Sequence, residues 1–364
     1  MSPMPDTAAW ECFDAAALNA FAESLLSKTG LTREQAQRCA EVLVEADLMG
    51  HSTHGLQLLA PYLRDAAAGR MRCGGEPEVV SDRGSAITWD GGFLPGPWLV
   101  RRAMDLAFER ISEHPVTTVV IRRSHHIACL AAYLRHATER GLMMLLSCSD
   151  PVTGTVAPYG AIAGRYTPNP IAAGFPTDGA PVLIDISAST TTNGMTARMN
   201  RAGIGQRLSG PWLVDNQGNA SDDPRVLLAD PPGAILPLGG MDLGYKGFAL
   251  GLLVEALTSG LGGHGRADGE TQWGASVFMQ VLDPAAFGGR DRFMRETGWL
   301  AQACRSAPVK PGNPAVRLPG ERALALRERQ LKTGVALHPE IMPALAEWAQ
   351  RLAVALPARA GSAT

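Results

Sequence analysis

Gly260-Leu261-Gly262-Gly263-His264-Gly265 reproduces G-x-G-x-x-G letter for letter, and how it is read decides the fold. A dinucleotide fingerprint of that form follows a strand and opens a helix, so that backbone N–H groups meet a pyrophosphate at the helix N-terminus. Here the apolar run Gly247–Leu261 comes first and reads as a helix packed on several faces, and a polar loop follows. The hexapeptide is not such a fingerprint.

Outward from it, strands and helices alternate. Ala86–Trp89 with Asp90-Gly91-Gly92 reads as a strand and a turn, Trp98–Ile111 as an amphipathic helix, and Val116–Ile121 as a β-branched strand. Ile127–Arg140 is expected to be helical. Leu142–Ser147, Val182–Ile186 and Ser276–Leu282 are expected to be strands. The ends of the chain are helical. Leu18, Phe21, Leu25 and Leu26 recur at helical spacing up to Gly30. Thr32 and Gln35 form a capping box for a second helix with Cys39, Leu43, Val44 and Leu48 on its apolar stripe. Leu56–Ala68 reads as a third helix, and Phe293–Cys304, Gly320–Gly334 and Pro339–Leu356 close the chain. Gly69–Pro77, with three glycines and a proline, reads as a linker. The expectation is an α+β protein. A mixed-sheet domain over 76–290 is inserted between a helical segment over 1–75 and another over 291–364, and the two ends pack as one lobe.

Composition narrows the function. The 364 residues are enough for about two domains. Apolar residues are 46% and charged residues 19%, which is ordinary globular chemistry. A net charge of −2 supplies no basic field for a phosphate backbone, so nucleic acid is not the expected partner. Six cysteines lie singly, which fits reduced buried thiols in the cytoplasm rather than a disulfide framework or thiolate zinc site. Met1–Phe13 carries Asp6 and Glu11 and does not read as a secretory leader. The apolar stretch Phe248–Val254 stops at Glu255, well short of the roughly 20 residues a membrane span needs.

Four segments carry candidate chemistry. His51-Ser52-Thr53-His54-Gly55 places two imidazoles beside hydroxyls that could fix a ring tautomer; alternatively the histidines cap the next helix. Arg122-Arg123-Ser124-His125-His126 lies between strand and helix, where free N–H groups suit an anion, or is a solvated basic turn. Asp185 ends an apolar run, where a carboxylate needs a partner. A histidine would serve, with the hydroxyls after it lining a cofactor groove; otherwise Asp185 is a turn or helix cap. Gly239–Gly247 offers glycines for close approach and Lys246 for a phosphate, or is a flexible loop before a buried helix. The histidines and Asp185 could also ligate a metal for hydrolysis, although nothing in their spacing demands it, and no metal is expected.

Taken together, these segments resemble the type 2 malate/L-lactate dehydrogenases, a family that includes sulfolactate and ureidoglycolate dehydrogenases and piperideine- and pyrroline-2-carboxylate reductases. The resemblance spans nearly the whole chain: Ala46-Asp47-Leu48 with Gly50–Leu56, Ser124–Ile127, Asn169-Pro170, Asp185 with Ser189 and Gly194, and Pro211-Trp212 with Asp215. It continues through Asp223-Pro224, Leu236–Gly240, Lys246-Gly247 and Pro319-Gly320-Glu321. It implies a non-Rossmann NAD(P)-binding fold, a homodimer, NAD or NADP as cofactor and a small carboxylate as substrate. Hydride would pass between the nicotinamide and a 2-hydroxy acid, 2-keto acid or cyclic imino acid.

Carried over by position, His54 is the proton donor, Thr53 takes the place of the usual serine, and Asp185 is the acidic partner. His126 lies at the cofactor and substrate site, with His125 where asparagine is usual. Cofactor contact falls to the segments carrying Ser124, His126, Ile127, Ser147, Ser189, Lys246 and Gly247. Leu58 stands where the family has an arginine that grips the substrate carboxylate. Either another cation takes over, with Arg122, Arg123 and Arg165 as candidates, or that end of the substrate is apolar. A silent nucleotide-binding paralogue is the alternative that Leu58 favours.

Overall fold

A computed structural model describes residues 10–203 and 205–360; Met1–Ala9, which hold most of the segment tested for a leader, lie outside the described residues. The N-terminal segment forms β1 (Glu11–Phe13), α1 (Ala15–Lys28), α2 (Arg33–Leu48) and, after one 3-10 turn, α3 (Leu59–Ala67). The capping box is present. Gln35 N–H donates to Thr32 Oγ1 at 3.3 Å, and Thr32 N–H donates to Gln35 Oε1 at 3.1 Å.

Next come β2 (Glu78–Asp82), β3 (Ala86–Asp90), α4 (Gly96–Arg110), β4 (Val116–Ser124), α5 (Ala131–Thr138), β5 (Met143–Ser149), β6 (Pro170–Phe175) and β7 (Val182–Ser187). Then follow α6 (Asn193–Ala202), the short β8 (Leu213–Val214), β9 (Ala220–Ser221) and β10 (Ala234–Ile235), α7 (Gly240–Glu255) and β11 (Ala275–Leu282). The chain closes with α8 (Arg290–Arg305), α9 (Glu321–Thr333), β12 (Val335–Leu337) and α10 (Ile341–Leu352).

Seven strands form one sheet in the order β2-β3-β4-β11-β5-β6-β7. Only β3 and β4 run parallel; every other neighbouring pair is antiparallel. A doubly wound dinucleotide fold is built on parallel strands with crossover helices. The expected α+β class with a mixed sheet therefore holds. The late strand β11 sits at the centre, pairing β4 through Val277–Ile121 and β5 through Phe278–Ser147. The two ends of the chain meet. Strand β1 pairs with β12 (Cys12 opposite Ala336), and Gln330 of α9 donates to the Asp47 and Leu48 carbonyls at the end of α2. Buried apolar side chains from Phe13 to Ala349 form one continuous cluster, with Trp98, Tyr62 and Tyr133 among its largest members.

Several elements differ from the sequence reading. Helix α5 starts at Ala131 rather than Ile127, because Ala128 is held at φ 61 with its N–H donated to the His126 ring. The Gly239–Gly247 segment is not a loop. Helix α7 begins at Gly240, after Gly239 at φ 103, and continues into a π-turn over 256–260. Gly260–Gly265 starts in the last turn of this helical stretch and runs into a loop, rather than following a strand.

The glycines of α7 face inward. A Cβ on Gly247 would stand 2.2 Å from Leu238 N, and one on Gly251 would stand 2.5 Å from the Tyr166 ring, so the helix lies closer than any side chain would permit. Its outward face carries Tyr245, Ala249, Leu252, Leu253 and Ala256, all exposed. Among the described residues, no helix is long and apolar enough to cross a membrane.

Candidate active site

The loop between α2 and α3 is fixed from below by a carboxyl group. Asp47, 3% exposed at the end of α2, accepts Leu56 N–H on Oδ2 at 2.7 Å. Gly55 is required there, since a Cβ at that position would stand 2.3 Å from Asp47 Oδ2. His54 N–H donates to His51 O at 2.8 Å and closes the turn, while Thr53 Oγ1 lies 2.8 Å from His54 Nδ1. Burial pulls the His54 pKa below the ordinary imidazole value; Asp185 opposes that shift, and His51 and Arg198 add to it. The resting ring is neutral at pH 7.

His126 faces it. The two ring centroids are 6.2 Å apart with planes 27° from parallel. Ala128 N–H donates to His126 Nδ1 at 3.1 Å, and Tyr62 Oη lies 2.9 Å from the same nitrogen. Burial, with His54 and His125 adding to it, pushes the His126 pKa well below the usual value. A neutral ring that accepts at Nδ1 carries its proton on Nε2. Trp273 stacks on this ring at 4.9 Å and 27°. The neighbouring His125 is fully buried, with Nε2 3.1 Å from Asp65 Oδ2, so it is a structural anchor under His126.

Asp185, on β7, is placed differently from the simple pair read in the sequence. Its Oδ2 accepts Ala131 N–H at 2.8 Å and so caps the start of α5, and Cys129 Sγ lies 3.7 Å away. Its carboxylate acts on His54 through space; among the described residues, His54's ring is hydrogen-bonded only by Thr53. The carboxylate therefore caps a helix, and it makes no direct hydrogen bond to the His54 ring among the described residues. His51, Cys129 and Asp185 also bring three possible metal-ligand atoms within 4.8 Å of one another. Burial and the Asp185 charge hold the Cys129 thiol protonated, as a donor to that carboxylate.

Among the described residues, none of the candidate cations is seen to contact the histidine loop. Arg122 and Arg123 both bind Asp90, at 2.9 and 2.6 Å, and Arg165 is exposed with Nη1 on the Gly164 carbonyl. Arg198 of α6, not singled out from the sequence, instead reaches the histidine loop, with Nη1 donating to Ser52 Oγ at 3.0 Å and Nε to Gln57 Oε1 at 3.1 Å. Gly194, one turn earlier, lets α6 approach; its Cβ would stand 3.4 Å from Thr53 Cβ and 3.8 Å from His54 Cε1.

Residues 13–346 match the family described as malate/L-lactate dehydrogenase. The chain belongs to that family. The L-lactate dehydrogenase of Cupriavidus necator is 30% identical over 348 residues, covering 92% of this chain and 96% of the relative. The Delta(1)-pyrroline-2-carboxylate reductase of Ancylobacter novellus is 28% identical over 322 residues, covering 86% and 90%. The solved structure of malate dehydrogenase from Pyrococcus horikoshii OT3 superposes with a TM-score of 0.85 at 25% identity, covering 98% of this chain and 99% of that one.

As a member of the malate/L-lactate dehydrogenase family, the protein is an oxidoreductase, and the family's chemistry implies a nicotinamide cofactor. The residues present fit such a group. Gly194 puts no side chain of its own against the Cε1 edge of His54. Among the described residues, the exposed Lys246 has no carboxylate within 4.0 Å and lies 5.9 Å over the Tyr245 ring, so its charge is open to an anion. Ser189 pairs with Pro237, and Gly247 N–H donates to Leu238 O, so the two lie beside one another, but Ser189 is buried with its Oγ donating to Thr191 O at 2.7 Å. Others are turned inward. Ser124 Oγ donates to His125 O at 2.7 Å, Ile127 is fully buried in the core, and Ser147 is buried on β5. Tyr62, Trp273 and Arg198 escaped the sequence reading. Only Arg198 had a local signal, the Thr192 hydroxyl that accepts Met195 N–H and starts α6.

Proposed function

We propose that this dehydrogenase moves hydride between NAD or NADP and the carbon α to a carboxylate, in a 2-hydroxy or 2-keto acid or a cyclic imino acid, with His54 as proton acceptor and donor. The reading rests on the apposition of two neutral imidazoles, His54 and His126, 6.2 Å apart on rigid supports. A bound nicotinamide supplies or takes the hydride.

The chain's own groups manage the proton and the geometry. In oxidation, Nδ1–H of His54 donates to Thr53 Oγ1, which leaves Nε2 as the base for the hydroxyl proton. In reduction the ring takes a proton from solvent and passes it to the oxygen or nitrogen on which charge develops. Asp185 favours the imidazolium that forms. His126 directs its Nε2–H at a substrate oxygen, and Trp273 behind it fixes the ring plane.

Fluorescence titration with NADH and NADPH, followed by a panel of 2-keto acids and cyclic imino acids read at the nicotinamide absorbance, tests this reading. Turnover of at least one class is expected. Tight nicotinamide binding with no turnover in either class would overturn it.

The outward face of α7 supports a homodimer. The stretch Phe248–Val254 of α7 carries no polar side chain, yet Leu252 and Leu253 are each about half exposed. A second copy of the chain is the proposed cover, as the family resemblance implies. Leu252→Glu combined with Leu253→Glu is expected to convert a dimer into a folded monomer in sedimentation velocity. A wild type that sediments as a monomer at micromolar concentration refutes the proposal. The six free cysteines support a reducing compartment such as the cytoplasm.

A further inference from the structure

Taking a guanidinium out of water is costly, and a carboxylate partner with good hydrogen bonds is what offsets that cost. Arg198 is half-buried without one. Its Nε and Nη2 donate to Gln57 Oε1 and its Nη1 to Ser52 Oγ, both neutral acceptors. Among the described residues no carboxylate lies within 4.0 Å; Glu340 and Asp47 act on it only from farther away, and Glu340 pairs instead with Arg201 at 3.6 Å. A guanidinium has five N–H donors, and three are used here. One remains on each terminal nitrogen, the arrangement that meets both oxygens of a carboxylate.

The position matters as much as the vacancy of those donors. Ser52 and Gln57 flank His54 in sequence, and α6 is brought against Thr53 and His54 by Gly194, one turn before Arg198. The charge of Arg198 reaches the His54 ring. Leu58 contributes no charge and packs against the main core, while Arg122 and Arg123 are both held by the one Asp90 carboxylate.

We propose that Arg198 binds the substrate carboxylate in this enzyme, gripping it from α6 so that the adjacent C=O or C=N faces His54. The inference rests on the dehydrogenase reading above and names the residue that selects its substrate class. It makes the carboxylate site a feature of α6, the helix after β7, rather than of the helix that follows His54.

The test uses oxamate, a non-reducible isostere of a 2-keto acid, titrated into the NADH- or NADPH-saturated protein. Arg198→Ala is expected to weaken oxamate at least tenfold with nicotinamide affinity and melting temperature unchanged. Millimolar guanidinium is expected to restore most of the loss, and Arg198→Lys to keep part of the affinity. A merely structural staple would show no guanidinium rescue and a lowered melting temperature, and that outcome overturns the proposal. So does oxamate affinity within twofold of wild type in Arg198→Ala, or a wild-type holoprotein that does not bind oxamate. A wild type that binds neither nicotinamide overturns instead the reading on which the proposal stands.

Discussion

Replacement of His54 by alanine is expected to lower turnover on a verified substrate by about 10²–10⁴-fold, the usual contribution of a positioned general acid or base. Nicotinamide affinity should stay within a few-fold, because the ring is held by Thr53 and its own turn rather than by groups assigned to the cofactor. The pH profile makes the test specific. Burial places the His54 pKa below the ordinary imidazole value, so the ring is already a free base at neutral pH. Oxidative kcat/KM should therefore be flat above pH 7 and fall in acid as the ring takes up a proton. Reductive kcat/KM should fall about tenfold per unit as pH rises above that pKa, since the protonated form becomes scarce. Both limbs should vanish in His54→Ala. Retention of wild-type turnover, or of the same limbs, assigns the proton transfer to another group.

How much of this was legible in the sequence follows from which interactions are local. The Thr32–Gln35 capping box, the β-branched strand β4 and the rejection of Gly260–Gly265 all depend on residues within a turn or two of one another, and all hold. Strand β6 escaped notice because Pro170-Ile171-Ala172-Ala173-Gly174-Phe175 has little intrinsic strand character; it is a strand because β5 and β7 flank it with complementary hydrogen bonds. Helix α6 was hidden by a hydroxyl run ending in Asn193-Gly194, which reads as a turn. With it went Arg198, whose significance lies in contacts to Ser52 and Gln57 some 140 positions earlier. The stack of Trp273 on His126 is non-local in the same way. The sequence reading joined Asp185 to His54 as the acidic partner holding the ring; the structure has Asp185 accepting Ala131 N–H and reaching the ring only through its charge. The geometry between them was not legible, because the site Asp185 caps, the start of α5, is set by the backbone turn at Ala128.

The second large effect concerns the carboxyl group beneath the histidine loop. Asp47 is buried, and burial raises its pKa to about 7, against the pull of the Leu56 N–H and of Arg198. Its Oδ1 has no hydrogen-bond partner among the described residues, so ionisation would leave a charge with one oxygen unanswered. In the unfolded chain an aspartate titrates near 3.9. Between about pH 4 and pH 7 the folded protein thus keeps a proton that the unfolded chain has released, and this group's contribution to stability falls as pH rises. The full span corresponds to about 4 kcal/mol at roughly 1.4 kcal/mol per pKa unit. Carboxylates held low by arginines, such as Asp82 and Asp223, work in the opposite sense and weaken the fold as pH falls. Asp47→Asn separates the two contributions, because an amide oxygen can still accept Leu56 N–H and carries no charge. The melting temperatures of wild type and Asp47→Asn should converge near pH 5 and diverge in favour of the variant by pH 8. Parallel curves would mean that Asp47 is ionised in the fold throughout, and that the loop carrying His54 is anchored by a charge rather than by a neutral acid.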